Sequence, residues 1–541
     1  MQAKRLAYTL WITCLIILAA AHAWHLRADF PNFSPWEDWS KYTDEGWYGN
    51  AAIRAHLTGN WYVPGDFNPA PAVPLWPFLE WLLFFVTGVK IEAARALAVA
   101  FFFFNLFLSY KLFRERGPRW TGLLAVTLLV TSPFLYCFSR LAILEPLLMA
   151  LTLGALNLAI RLPRFRYKEA ACALIGLLFT AMLFTKTTAV FLLPTLVWVI
   201  VLPVLHDWRK LTRMLVAAGG SAILSFSVWM LLVVDNDLFA DFKYLFFINS
   251  YQKPNGLWPR LLSFWWSFHG GLWADPILIP LAGLLILAAL FTRLVNSPRR
   301  RGPNAESAWQ PNWTAGLWRD PLFSGSVLAA AGYIAFMAYQ NHPQPRYYVV
   351  VAFFSFFVAV RITAQLLYQN GPNRVRARQA GLAILGLLCV VAIFNGAWTM
   401  KYILHPQYTW VTAAQNLTRY IDQHPNGNRL LVSISGDEIT LITGLPSLCD
   451  DFGTLDLPDK LGRYKPGWYA TWNDLDPGTL EDLHTHFSLE QVAAFPAFDD
   501  PDRNMLYLFK LHPLPNGQVR IPVTIEMQQP MPDDSIDVDV D

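Results

Sequence analysis

Long apolar runs alternate with short polar turns along the first 400 residues of the chain. A membrane-spanning helix needs roughly 20 apolar residues, and about eleven runs approach that length. They lie at 6–24, 92–112, 121–138, 144–160, 170–185, 189–205, 214–234, 276–294, 322–340, 347–367 and 380–400. The pattern predicts an α-helical polytopic membrane protein whose first run is an uncleaved signal-anchor.

Basic residues are concentrated in alternate turns between these runs. If Lys4 and Arg5 lie in the cytoplasm, the turns that share their side all carry several Lys or Arg residues, as the positive-inside rule requires. These turns are 111–119, 161–168, 209–213, 299–301 and 374–378. The long loop 25–91 and the segment from residue 401 then face the outer side.

Two segments depart from the spanning pattern. Residues 76–90 are apolar but short, contain Glu80 and follow a proline-rich stretch, which is typical of a juxtamembrane helix. From residue 401 an amphipathic helix (413–424) and strands (429–435 and 505–511) are predicted between glycines and prolines. We therefore predict a transmembrane domain over 1–400 and a small soluble α/β domain over 401–541, which ends in a solvated acidic tail.

The composition agrees with a membrane protein and limits its chemistry. Hydrophobic residues make up 54% of the chain and charged residues only 15%, which excludes a disordered or an ordinary soluble protein. The net charge of +3 provides no bulk basic surface for nucleic acid. The five cysteines are dispersed, so neither a disulfide framework nor a CxxC metal site is available.

The outer loop carries the most informative polar residues, the adjacent Asp44 and Glu45. Apolar residues at helical spacing follow them, Thr43 is suited to cap the start of a helix, and Gly59 is suited to end it. An acidic pair in a first helical turn also complements the helix dipole without any further role. Its position after the first span, in an aromatic-rich loop, equally favours a general base or a divalent cation site.

Other charged residues lie at outer corners between apolar runs. Arg140 and Glu145 flank one corner, where charge is costly and often functional, although capping and snorkelling would also explain them. Lys186 stands alone between two runs and either snorkels or binds a lipid phosphate. His342 and Arg346 mark a third corner, as interfacial anchors or as phosphate contacts.

These motifs together resemble a known family. The segment TDEGWYGNAAIRAHLTG (43–59), the proline-rich NPAPAVPLWP (68–77) and LLVTSPFLYCFSRLAILEP (128–146) are similar to the GT-C glycosyltransferases. Within that superfamily the chain resembles the protein O-mannosyltransferase and lipid A aminoarabinose transferase branch. The resemblance covers residues 1–200 and, weakly, the corner PRYYVV (345–350); the remaining spans agree only in hydropathy.

The resemblance implies an activity and roles for single residues. Members of this branch transfer a sugar from a polyprenyl-phosphate carrier to an acceptor on the outer or lumenal side. Their first-loop aspartate acts at the catalytic centre, which implies that role for Asp44 with Glu45 beside it, and Glu145 matches a second acidic position where relatives commonly carry Asp. Relatives also carry a lysine before the prolines of the first loop, where this chain has Asn68. The phosphate contact is then expected from Lys186, Arg140, Arg346 or His342.

We therefore predict an inverting hexosyl- or pentosyltransferase with Asp44 as general base. A divalent metal ion between Asp44 and Glu145 is the candidate cofactor. The expected partners are a polyprenyl-phosphate sugar, an acceptor that is a protein, lipid or polysaccharide, and membrane lipids, but no nucleic acid. The expected location is the inner (plasma) membrane, with a cytoplasmic N-terminus and a periplasmic C-terminal domain.

Two alternatives remain open at this point. A lipid or sugar transporter or flippase would also have many spans and intramembrane charges. Transporters usually place such charges at mid-depth between repeats, whereas here the charges collect at outer corners. Among enzymes, a polyprenyl-linked oligosaccharide ligase is the nearest alternative.

Overall fold

The fold was analysed in a computed structural model that describes residues 2–234, 238–248, 255–295, 313–369, 374–472, 475–500 and 503–514. This part of the chain is mainly helical, and every predicted apolar run overlaps helical structure. The basic turn at 299–301 and the acidic tail at 533–541 lie outside the described residues.

The helices follow one another along the chain with short connections. The first ten are α1 (Gln2–His22), α2 (Asp44–Thr58), α3 (Leu75–Thr87), α4 (Ile91–Arg116), α5 (Arg119–Thr131), α6 (Pro133–Arg140), α7 (Glu145–Arg161), α8 (Lys168–Leu183), α9 (Leu193–Val201) and α10 (Trp208–Leu232). The next eight are α11 (Phe239–Lys243), α12 (Leu257–His269), α13 (Gly271–Ala274), α14 (Leu278–Val295), α15 (Trp313–Trp318), α16 (Pro321–Gln340), α17 (Tyr348–Leu367) and α18 (Arg374–Leu404). The last four are α19 (Thr409–Gln423), α20 (Gly436–Thr443), α21 (Leu457–Tyr464) and α22 (Pro477–His484).

Several of these helices are long and apolar enough to cross a membrane. Among the described residues there are eight such segments, or nine if α5 and α6, which are bent by 70°, form one span. Ser132 explains the bend, because its side chain accepts a hydrogen bond from Leu135 N and caps α6, while Pro133 cannot donate to the preceding helix. Of the predicted spans, α8 has only 16 residues, and the apolar part of α14 is shorter than the full spans.

The long first loop folds into two helices at one end of the bundle. Helix α2 begins after Thr43 and ends at Gly59, which has a φ of +77°; this left-handed conformation is most easily adopted by glycine. Helix α3 has 13 residues, too few to cross a hydrocarbon layer of about 30 Å. The predicted helices at 43–59 and 76–90 are therefore present, and both lie outside the spans.

The C-terminal unit, residues 409–514, combines α19–α22 with a five-stranded sheet. The strands are β1 (Leu431–Val432), β2 (Ser447–Leu448), β3 (Trp468–Trp472), β4 (Phe487–Asp500) and β5 (Arg503–Pro513). Their order is β2-β1-β3-β5-β4, with β1 parallel to β2 and β3, and β5 antiparallel to β3 and β4. The predicted amphipathic helix corresponds to α19, and the predicted strands contain β1 and β5.

The C-terminal unit packs directly on the first loop. Tyr42 of the loop is 1% exposed and belongs to the apolar core of the C-terminal unit. In return, Leu441 of α20 belongs to a cluster with Ala52 and Ile53 of α2 and residues of α3 and α4. The first loop is thus enclosed between the helical bundle and the C-terminal unit, which buries its polar residues.

Candidate active site

Asp44 is the first residue of α2 and is almost completely buried, with 2% exposure. The Thr43 hydroxyl donates to Trp39 O (3.0 Å) and to Asp44 Oδ1 (3.2 Å), so it orients the carboxylate instead of capping the helix. Asp44 Oδ2 accepts no hydrogen bond from the described residues. Thr43 thus orients Oδ1, and Oδ2 is the carboxylate oxygen without a hydrogen-bond donor in the described part of the chain.

Arg346 joins Asp44 to a second carboxylate of the first loop. Its Nε lies 3.3 Å from Asp44 Oδ2, and its Nη1 forms a short ion pair with Asp38 Oδ1. The backbone N–H of Arg346 also donates to Asp38 Oδ2 over 2.9 Å. Asp38 in turn accepts from Ser40 N over 2.9 Å. Asp38 thus anchors the guanidinium beside Asp44.

A second buried ion pair joins Lys186 to Glu145. Lys186 Nζ donates to Glu145 Oε1 in a short contact, and it lies 4.6 Å from the centre of the Tyr347 ring. Glu145 begins α7, and Lys186 precedes the 3₁₀ segment Thr187–Leu192. Glu145 and Lys186, which the sequence places at two different corners between apolar runs, are therefore in direct contact.

A cavity of about 130 Å³ connects these groups. Its polar wall includes Asp44, Lys186, Thr187, Thr188, His342 and Arg346. The remaining wall is mostly aromatic or aliphatic: Trp47, Tyr48, Phe67, Val73, Leu144, Leu245, Phe336, Tyr347 and Phe452. One buried carboxylate, two cations and the hydroxyls of two threonines thus converge on a cavity whose surface is polar and apolar in similar measure.

Burial shifts the pKa of two groups in the cavity wall. The pKa of Asp44 is raised because burial disfavours the carboxylate, although Arg346 beside it opposes the rise. The pKa of His342 is lowered to about 4, first by burial and then by the charge of Arg346. A lowered pKa favours the neutral form of His342 at pH 7, and its contact with a donor phosphate stays a prediction.

Glu45 points away from the cavity. Arg95 Nε and Nη2 donate to its two oxygens over 2.8 and 2.6 Å, and Ala142 N donates to Oε1 over 2.7 Å. Both side chains of the pair are at most 1% exposed. Glu45 is thus committed to an ion pair that ties α2 to α4, and the structure does not bring it together with Asp44.

Arg140 also lies apart from the cavity wall. It donates to the Tyr136 hydroxyl over 2.5 Å and to the carbonyl oxygens of Trp24 and His25 at the end of the first span. These contacts tie α6 to the start of the first loop. Arg140 therefore holds α6 against the first loop, and it is not among the residues that line the cavity.

The predicted metal site does not fit the donor groups that are present. Arg346 lies against Asp44, and Lys186 is paired with Glu145. Within the described ranges, no three His, Cys, Asp or Glu side chains form a group suited to a metal ion. Both carboxylates are therefore already matched by protein cations, which removes the negative charge that would hold a divalent ion.

Sequence reasoning missed Asp38, Tyr347 and the hydroxyls of Thr187 and Thr188. Asp38 follows Glu37 in the aromatic segment WEDW, where the sequence does not distinguish a buried carboxylate from a solvated one. The threonines directly follow Lys186, and hydroxyls beside a lone lysine were the signal that could have identified them.

Similarity to known proteins is confined to structure, since neither a protein-family model nor a curated protein sequence matches the chain. ArnT from Cupriavidus metallidurans in the apo state aligns with a TM-score of 0.56 and 15% identity, over 93% of this chain and 98% of that chain. The same protein bound to undecaprenyl phosphate gives a TM-score of 0.56 and 14% identity, over 93% and 97%. The archaeal oligosaccharyltransferase AglB from Archaeoglobus fulgidus gives 0.47 and 11%, over 95% and 75%.

The alignment with ArnT includes nearly the whole of both chains and confirms the predicted fold class. The chain is a multi-pass, α-helical membrane protein with a GT-C-like fold and a small α/β unit near its C-terminus. At 15% identity this similarity concerns the fold alone. The activity has to be argued from the residues of the cavity.

Proposed function

We propose that the protein is a membrane glycosyltransferase that moves a sugar from a polyprenyl-phosphate donor to an acceptor hydroxyl. The observation that carries this proposal is the convergence of Asp44, Lys186 and Arg346 on one cavity. A base and a phosphate-binding pair are the two kinds of group that this transfer requires. ArnT, which shares the fold, has a structure bound to undecaprenyl phosphate, and this supports a polyprenyl-phosphate carrier.

Lys186 and Arg346 are the proposed phosphate contacts. An ammonium has three N–H donors and a guanidinium has five, so both retain donors beyond those used by Glu145 and Asp38. Thr187 and Thr188, which line the same cavity, provide hydroxyls beside the ammonium. In a buried site of low dielectric these groups would offset the negative charge that develops on the departing phosphate.

Asp44 is the proposed general base. As the acceptor oxygen attacks the anomeric carbon, its proton passes to Asp44 Oδ2, the new C–O bond forms, and the bond to the phosphate oxygen breaks. Attack opposite the leaving group inverts the anomeric configuration. A positioned base of this kind typically contributes about 10² to 10⁴-fold to the rate.

Glu145 and Glu45 are proposed to position other groups. Glu145 holds the ammonium of Lys186 against the cavity, and Glu45 fixes the first turn of α2 through Arg95. The donor chain would lie between spans with its phosphate at the outer surface. We place the N-terminus in the cytoplasm and the domain from residue 401 on the periplasmic side of the inner membrane, on the charge bias of the turns.

Incubation of the purified protein with a panel of polyprenyl-phosphate sugars tests the proposal. Consumption of one donor, with release of the polyprenyl phosphate, is the expected result, and a parallel series with chelator tests whether the reaction needs a divalent ion. No consumption of any donor, together with movement of intact lipid across vesicle membranes, would instead favour a flippase.

A further inference from the structure

The helix that carries Asp44 is held on one face by the C-terminal unit. Residues 46, 50 and 54 are spaced by four and lie on one side of α2, and each contacts α20. Trp47 adds a hydrogen bond from its Nε1 to Ile434 O over 3.1 Å. The contact is therefore continuous over more than two turns of α2.

At the first of these positions the two helices are in backbone contact. A Cβ atom added to Gly46 would lie 2.2 Å from the carbonyl carbon of Asp437 and 2.2 Å from Glu438 N. Because these neighbours are main-chain atoms, no side chain could move aside to make room. Gly46 is thus required for the close approach of α20, two residues after Asp44.

Two acidic residues of α20 complete the contact by hydrogen bonds. Glu438 Oε2 accepts from Gly46 N over 3.0 Å, which satisfies an amide in the first turn of α2. Asp437 accepts from Asn50 Nδ2 over 3.1 Å and from Arg54 Nη2 over 3.2 Å. Arg54 is held from the other side by Asp66, over 2.7 Å.

All of these groups are buried. Asp437 and Glu438 are 3% and 0% exposed, and Arg54 is 6% exposed. Breaking a buried pair by removal of one partner is costly, because a charge is left without compensation. The orientation of α2, and with it the position of Asp44, therefore depends on groups that the C-terminal unit supplies.

We propose that Asp437 and Glu438 are positioning residues for the transfer reaction, so that the C-terminal unit fixes the proposed base through α2. This inference rests on the proposed function, because it assigns Asp44 the catalytic role. It goes beyond that function by making residues nearly 400 positions away necessary for the turnover rate. The phosphate contacts Lys186 and Arg346 are on other elements, and their ion pairs with Glu145 and Asp38 do not involve α20.

Two variants of the full-length protein test the proposal. Gly46→Ala introduces a Cβ atom that would overlap the backbone of α20. Asp437→Asn removes the negative charge of the carboxylate with little change of side-chain shape. We expect kcat to fall on the order of 10- to 100-fold in each, the scale for a displaced catalytic group, with the donor KM within about twofold of wild type. Gly386→Ala is the matched control, because a Cβ atom there meets no atom within 4 Å.

Hydrogen exchange of the α2 amides separates this inference from the proposed function. Exchange should accelerate in Gly46→Ala and remain unchanged in Gly386→Ala, whether or not a sugar donor has been identified. Unchanged exchange in Gly46→Ala would overturn the docking of α2 by α20. Wild-type kcat in Asp437→Asn would overturn the positioning role even if transfer itself is demonstrated, whereas absence of transfer by the wild type would count against the proposed function alone.

Discussion

Arg346 Nε lies 3.3 Å from Asp44 Oδ2, so the proposed base is paired with a cation from a distant part of the chain. The contact is ionic, and Oδ2 still accepts no hydrogen bond from the described residues. The guanidinium offsets part of the cost of burying the carboxylate and leaves one oxygen for an acceptor hydroxyl.

The pH dependence of turnover should reflect the raised pKa of Asp44. The reaction needs the carboxylate, so kcat should rise with pH through the pKa of Asp44, which burial holds above the ordinary value of 3.8. A pH profile of kcat measures this midpoint. His342 is not the proposed base, so replacement by Gln should leave the acidic limb, the part of the profile in which kcat rises with pH. Loss of the acidic limb in His342→Gln would show that this limb reflects the titration of the histidine.

Loss of Lys186 should weaken donor binding more than turnover. In Lys186→Ala the phosphate loses a cation, and Glu145 is left buried without its partner. We expect the donor KM to rise on the order of tenfold or more, as for a charge-assisted hydrogen bond worth about 1.5 to 3 kcal/mol. Steady-state kinetics with a fixed acceptor concentration provide the measurement.

The control for this experiment has to be an exposed basic residue that does not line the cavity. Arg54 is unsuitable, because it is buried in ion pairs with Asp66 and Asp437. Arg27 is 44% exposed at its side chain and contacts only the similarly exposed Glu92, over 3.5 Å, among the ion pairs of the described residues. An equal rise of KM in Arg27→Ala and Lys186→Ala would argue against phosphate contact.

Glu45 should matter for stability and not for chemistry. Glu45→Gln leaves Arg95 buried without a carboxylate, and loss of one partner of a buried pair costs about 3 to 5 kcal/mol. Glu92→Gln, in the exposed pair with Arg27, should cost less than about 1 kcal/mol. Thermal unfolding of both variants in detergent checks the difference. A Glu45→Gln protein with wild-type stability and no activity would show instead that Glu45 takes part in the reaction.

Asp29 should make stability depend on pH. Its carboxylate accepts from Trp410 N (2.8 Å) and Val411 N (3.2 Å) at the start of α19, and burial raises its pKa to about 7 from 3.8. A pKa raised in the folded state gives stability that is fully present below about pH 4 and is lost as pH rises through about 7. The wild type should therefore lose Tm over this range relative to Asp29→Asn. A constant difference in Tm between the two proteins from pH 4 to 8 would contradict the assignment.

The sequence predicted much of the fold, because membrane spans have strong local signals. Apolar runs of sufficient length and the charge bias of the turns do not depend on tertiary contacts. Helix α2 was predicted for the same reason, since Thr43, the apolar spacing and Gly59 are all local. The bend of 70° between α5 and α6 interrupts the single apolar run 121–138 and was not predicted.

Several single residues of the site were predicted, but the contacts between them were not. Glu145 and Lys186 were expected at two separate corners, and their ion pair could not be inferred without the packing of α7 against the segment after α8. Asp38 and Arg346 are 308 residues apart, which no local pattern connects. Glu45 was predicted beside Asp44 at the catalytic centre, although neighbouring residues of a helix point about 100° apart, and the structure pairs it with Arg95 instead.

Turnover of a polyprenyl-phosphate sugar by Asp44→Asn, beside the wild type and the exposed-loop control Glu37→Gln, tests the central claim most directly. The account predicts that all three proteins insert into the membrane and that only Asp44→Asn loses transfer, by about 10² to 10⁴-fold. Near-wild-type turnover by Asp44→Asn would contradict the assignment of this carboxylate as the base.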